Sequence, residues 1–137
     1  MSAAPAVLGI DPGRSKCGLA VVEIEGRRCA WRGIVAPERL VVEVGRIRAE
    51  HPGVERIVLG DGTQSRTLRR ALAEHLPELP VSLIDEHGSS LRAREVYLDI
   101  HPARGWRRLL PRGLRVPEEA YDDLVAELLA KDFLLSR

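Results

Sequence analysis

The sequence is poor in the residue types that mark several classes of protein. It has two cysteines in 137 residues, Cys17 and Cys29. Two thiols build no disulfide scaffold, and without well-placed histidines they hold no zinc ion. Aromatic residues make up 4% of the chain, too few for a platform on which single-stranded bases stack. No apolar run extends beyond a few residues, which excludes a membrane-spanning helix. The opening Met1-Ser2-Ala3-Ala4-Pro5 lacks the basic and apolar segments of a secretory signal, so a cytoplasmic location with reduced thiols is expected. Excess charge of one sign is also missing: 21 Lys and Arg face 20 Asp and Glu. No global field draws the chain to nucleic acid or membrane, and charge recognition must come from local patches. Repeats, low-complexity tracts and domain boundaries are absent, so residues 1–137 are expected to form a single domain.

What is present is an ordered series of short apolar segments. Ala6 to Ile10 reads as a buried strand that ends at the turn Asp11-Pro12-Gly13. Cys17–Ile24 and Cys29–Val35 are two further β-rich runs, joined by a connection of hairpin length. Leu40, Val41, Val44 and Ile47 then recur at helical spacing. Arg56–Leu59 is a strand, Leu68, Ala71, Leu72 and Leu76 form a second helical stripe, and Val81–Ile84 is a fifth strand. Leu91–Leu98 reads as a helix and His101–Val116 as a long loop broken by Gly and Pro. Pro117 opens a last helix that runs to about Leu134. Three antiparallel strands followed by strands alternating with helices predict a mixed α/β sheet covered on both faces.

Acids stand at the strand ends, where chemistry gathers in α/β sheets. Asp11 closes the first strand, Asp61 the fourth, and Asp85 and Glu86 the fifth. Asp61, between Gly60 and Gly62, reads as a turn residue. Asp11, taken alone, serves a tight turn as well as it serves chemistry; alternation puts it on the strand face of Val7 and Gly9. In the last helix, 100° steps put Asp122 on the apolar side and Asp123 toward solvent. Glu119 lies one turn before Asp122 and can converge with it. A carboxylate on an apolar face needs a partner. Acids converging without Cys or His ligands suit a hard cation such as Mg²⁺. Two such ions about 3.5–4 Å apart can activate water against a phosphodiester.

These residues resemble a known group. Gly9-Ile10-Asp11-Pro12-Gly13 with Gly18-Leu19-Ala20-Val21 resembles the opening hairpin of RNase H-like nucleases, including the RuvC-type Holliday-junction resolvases. Asp85-Glu86, Ser89-Ser90 and Ala93 resemble the middle signature of the YqgF/RuvX family. Asp122-Asp123-Leu124-Val125-Ala126 resembles its C-terminal helix. The resemblance implies an RNase H-like fold, with Asp11, Glu86 and Asp122 as catalytic acids that hold Mg²⁺ or Mn²⁺ and Glu119 as a further ligand. It implies a nuclease acting on nucleic acid, either in pre-16S rRNA processing (ribosome biogenesis) or on branched DNA. The chain departs from the family at Leu59-Gly60-Asp61-Gly62, where Gly-Leu-Pro is usual, and at Ser89-Ser90, where Thr-Thr is usual.

Arg104, Arg107, Arg108, Arg112 and Arg115 form a stretch without acids just before the acidic helix. With Trp106 they are the expected nucleic-acid contacts. A non-catalytic nucleic-acid-binding or partner-binding domain on the same fold is the alternative, and a monomer and a homodimer are both open. An actin-like ATPase shares the first glycine pattern but needs a second such domain to enclose ATP.

Overall fold

The computed structural model describes residues 4–62, 64–84 and 122–135, with Asp122 described by its backbone. The strands are β1 (Ala6–Asp11), β2 (Cys17–Glu23), β3 (Cys29–Val35), β4 (Val54–Gly60) and β5 (Val81–Ile84). The helices are α1 (Leu40–Glu50), entered through a 3₁₀ turn at Pro37–Arg39, then α2 (Ser65–His75) and α3 (Asp122–Leu135). The helix expected at 91–98 and the loop expected at 101–116 lie outside the described residues.

The five strands form one sheet in the order β3-β2-β1-β4-β5. β1 pairs antiparallel with β2, and β2 with β3; β1 pairs parallel with β4, and β4 with β5. The expected mixed sheet is therefore the observed one. β1 sits at its centre and is buried from Ala6 to Ile10, which explains its continuous apolar run. β3 is an edge strand, and its residues alternate between half-buried and exposed.

Side-chain alternation gives the sheet two different faces. Ala6, Leu8 and Ile10 of β1 join Cys17, Leu19 and Val21 of β2 and Ile57 and Leu59 of β4. Leu40, Val44 and Ile47 of α1 and Leu68 and Leu72 of α2 cover this face. Val7, Val22 and Val58 point the other way, where they meet Ala130, Phe133 and Leu134 of α3. Val125 and Leu129 of α3 pack with Ile84 of β5.

Both cysteines are thiols. Cys17 is level with Val35 and Cys29 with Val22, at opposite ends of the β2–β3 ladder, so no disulfide joins them.

α3 approaches β1 without a side chain between the two backbones. A Cβ built on Gly9 would stand 2.2 Å from the carbonyl oxygen of Ala126. Any residue larger than glycine forces the helix off the strand. Gly9→Ala is expected to lower stability by about 1–3 kcal/mol or more, the usual cost of overpacking a core. Gly45, inside α1, faces open space; Gly45→Ala is expected to raise stability by roughly 0.5–1 kcal/mol through helix propensity. Urea unfolding of the two variants beside the parent chain checks both signs.

Candidate functional site

The sequence places one acid at the end of the central strand, and the paired strands leave room around it. Asp11 is the last residue of β1 and is half-buried. Across β2 it is level with Gly18. On the other side Ile10 is level with Leu59, and Gly60 ends β4 one residue later. Both strands beside Asp11 thus carry a glycine at this level, and neither glycine presents a side chain there.

α3 runs antiparallel to β1, and the packing sets its register. Val7 and Ala130 share one cluster, and Gly9 lies under Ala126. Two strand residues advance about 6.6–6.8 Å; four helical residues advance about 6 Å. The matched steps carry the series one turn further, which brings the backbone of Asp122 level with Asp11. The first strand and the last helix meet at one edge of the sheet.

The phase of α3 is locked from both sides. Toward β5, Val125 and Leu129 are buried. Toward β3, the Arg32 guanidinium lies 3.4 Å from Glu127 and 3.9 Å from Asp123. The helical wheel predicted that Asp123 faces open solvent; instead it faces Arg32 on β3. The wheel measures angle from the apolar stripe, but the cation that takes up Asp123 stands on the neighbouring strand. Lys131 adds a second cation on Glu127, at 2.6 Å.

Cys29 lies beside this group. Burial first, and the charge of Glu127 second, push its thiol up to about 11. The thiol is accordingly harder to ionise than an ordinary one, which suits a packing role.

Among the described residues, no three Asp, Glu, His or Cys side chains cluster as metal ligands. Of the predicted acids, Asp11 has a described side chain and Asp122 a described backbone. Glu86 and Glu119 lie outside the described residues, as do Arg104, Trp106, Arg107, Arg108, Arg112 and Arg115. Sequence reasoning put Gly9 on the face of Asp11 but missed its contact with the helix. It also missed Arg32, whose alternation in an exposed strand signals only a surface residue. No described helix is long and apolar enough to cross a membrane.

Comparison with known proteins identifies the class and then the family. The chain is similar in structure to RuvC of T. thermophilus in complex with Holliday junction substrate. The TM-score is 0.56 at 18% identity, over 92% of this chain and 90% of that one. It is also similar to the large terminase nuclease of thermophilic phage G20c, with a TM-score of 0.57 at 12% identity over 93% and 81% of the two chains. The fold is RNase H-like. No family model matches the chain. Two curated relatives carry the name "Putative pre-16S rRNA nuclease". The one from Chloroflexus aggregans is 29% identical over 147 residues, covering 96% of this chain and 94% of its own length. The one from Chlorobium phaeobacteroides is 30% identical over 104 residues, covering 68% of this chain and 72% of its own. The chain belongs to the YqgF/RuvX family that these relatives represent.

Removing the Glu127 charge is expected to make the Cys29 thiolate easier to form. In Glu127→Gln the alkylation of Cys29 by iodoacetamide should rise at lower pH than in the parent chain. Mass spectrometry after timed alkylation across a pH series reads this, and an unchanged profile would assign the shift to burial alone.

Proposed function

We propose that the chain is a divalent-metal-dependent nuclease that hydrolyses phosphodiester bonds in structured nucleic acid, with pre-16S rRNA as its substrate. The observation that carries the reading is the register of α3 on β1, which brings the start of the last helix level with Asp11. The names of the two relatives support the choice of substrate.

In this reading Asp11, Glu86 and Asp122 hold Mg²⁺ or Mn²⁺, with Glu119, three residues before Asp122 in the sequence, as a further ligand. A donor set of carboxylates alone fits a hard, oxygen-loving cation. When bound, the metal supplies an activated water and neutralises charge on the phosphate. Asp11 contributes a negative charge on a strand hydrogen-bonded along both sides. It therefore needs no rearrangement to hold its position, which is the preorganisation that electrostatic catalysis requires. Gly18 and Gly60, level with it on the neighbouring strands, add no side chains of their own where a phosphodiester would approach. Glu86 lies two residues beyond the end of β5 in the sequence. The residues from Arg104 to Arg115, with Trp106, contact the sugar-phosphate backbone.

Asp11→Asn is expected to lower metal-dependent cleavage of a labelled pre-16S rRNA fragment by about 10²–10³, as loss of one preorganised electrostatic group does, while leaving nucleic-acid binding intact. Asp123→Asn should retain most of the cleavage and lose at most about 1 kcal/mol of stability, because its ion pair with Arg32 is partly exposed. Equal cleavage by Asp11→Asn and the parent would remove Asp11 from the site, and a parent chain that binds the fragment without metal-dependent cleavage would favour a non-catalytic binding domain. Preferential cutting of a four-way DNA junction would replace the RNA substrate with branched DNA.

A further inference from the structure

The described cations divide into two sets. Arg28 pairs with Glu23, Arg39 and Arg46 with Glu43, Arg48 with Glu78, and Lys131 with Glu127. Arg32 holds Asp123 and Glu127. Arg56 donates to the Ser82 hydroxyl and lies over the Phe133 ring. Arg14, Lys16, Arg27, Arg66, Arg69 and Arg70 are exposed, and among the described residues none of them forms an ion pair. The second set is not scattered. Arg14 and Lys16 lie in the turn that follows Asp11. Arg66, Arg69 and Arg70 lie in the first two turns of α2, which leaves the end of β4 at the same edge of the parallel pair. Arg27 stands apart, at the opposite end of the sheet in the β2–β3 turn.

The two helices on that face show that the difference is not forced by their position. α1 and α2 are both 11 residues long. In α1, Glu43, Arg46 and Glu50 alternate in sign at helical spacing and pair. In α2, Arg66, Arg69 and Arg70 share one exposed side at i, i+3 and i+4, beside the buried stripe of Ser65, Leu68 and Leu72. Like charges at these spacings weaken a helix. Glu74, one turn beyond Arg70, forms no ion pair with it. The acids of this edge among the described residues are Asp11 and Asp61. A cluster that costs its own helix stability, lacks counter-charge among the described residues and flanks the end of β1 is complementary to a polyanion.

We propose that Arg14, Lys16, Arg66, Arg69 and Arg70 form a rim that holds the phosphate backbone of the substrate beside Asp11. The choice of nucleic acid as the ligand rests on the nuclease reading above. The rim draws on other residues than the 104–115 stretch, and it positions the strand without supplying a reacting group.

Salt titration of binding tests this, with the full chain in EDTA so that nothing is cut. The probes are a labelled RNA hairpin and a labelled four-way DNA junction. Arg66→Ala/Arg69→Ala/Arg70→Ala should raise the dissociation constant and flatten the plot of log K against log salt, by about 0.9 for each duplex phosphate that the variant leaves unneutralised. Arg14→Ala/Lys16→Ala should do the same for up to two phosphates. Arg27→Ala, which removes an equally exposed charge at the far end, should leave the slope unchanged. Replacing the three α2 arginines with lysine should preserve it, and thermal melts confirm that each variant is folded. A flattened slope on either probe supports the rim and shows which nucleic acid it holds. Unchanged slopes in both multiple variants, or a fall in Arg27→Ala as large per charge as theirs, would overturn it. The two proposals fail separately: cleavage with an unchanged slope removes the rim and leaves the nuclease, whereas a flattened slope with full cleavage by Asp11→Asn removes the acid site and leaves the rim.

Discussion

The backbone of α3 rests on the backbone of β1 at Gly9, and the geometry of the Asp11 edge depends on that contact. The clearance is so small that a single methyl group would meet the Ala126 carbonyl at 2.2 Å. A contact of this kind sets two quantities together. It fixes how closely the helix lies on the sheet, and it fixes which helical residue stands opposite which strand residue. Ala126 and Ala130, both fully buried, complete a small-residue track along which the helix settles. Larger side chains would hold it off and let it rotate or slide. Close packing of this type resists small displacements because interiors have little free volume.

Electrostatics reinforces the same placement. Arg32 gathers Asp123 and Glu127 toward β3, while Val125 and Leu129 turn toward β5. Those contacts take up two of the acids of α3 and fix the rotation of the helix. Each exposed ion pair contributes little on its own; here its effect is one of angle more than of energy. The contrast between α1 and α2 has the same origin. A helix whose charges alternate neutralises itself, and one whose charges agree in sign is left with a field. α2 carries that field at the edge where β1 ends.

The sheet was legible in the sequence because its signals are local. Short apolar runs bounded by Asp-Pro-Gly and Glu-Gly-Arg mark strands and turns without reference to anything distant. β3 (Cys29–Val35) and β5 (Val81–Ile84) have the bounds that the pattern predicts. β4 is longer than predicted, because Val54 pairs with β1 and Gly60 with β5 beyond the apolar run itself, and the β1 register skips Glu55 at a bulge. α2 begins three residues before its apolar stripe, as a polar first turn from Ser65. The environment of Asp123 was not legible, since periodicity orients a helix to its core but does not say which strand lies alongside. For the same reason a dense run of arginines, such as 104–115, stands out in a sequence, whereas Arg14, Lys16 and the α2 arginines do not. Their distinction is the lack of counter-charge among the described residues, and pairing is a property of the fold.

The Asp11 edge joins the first strand to the last helix, more than a hundred residues apart in the sequence. No local segment contains both, so the juxtaposition exists only once the two ends of the intervening chain are brought together. Bringing them together costs entropy that grows slowly with the length between them, and the buried contacts of α3 with β1 and β2 supply the compensation. Val7, Val22, Ala126, Ala130 and Leu129 are all essentially inaccessible. An edge formed by flexible elements would open at little cost. An edge formed by the central strand and a helix seated on its backbone cannot open without exposing this core. The position of Asp11 relative to α3 is therefore coupled to this core, and a substitution that loosens the Gly9–Ala126 contact disturbs both.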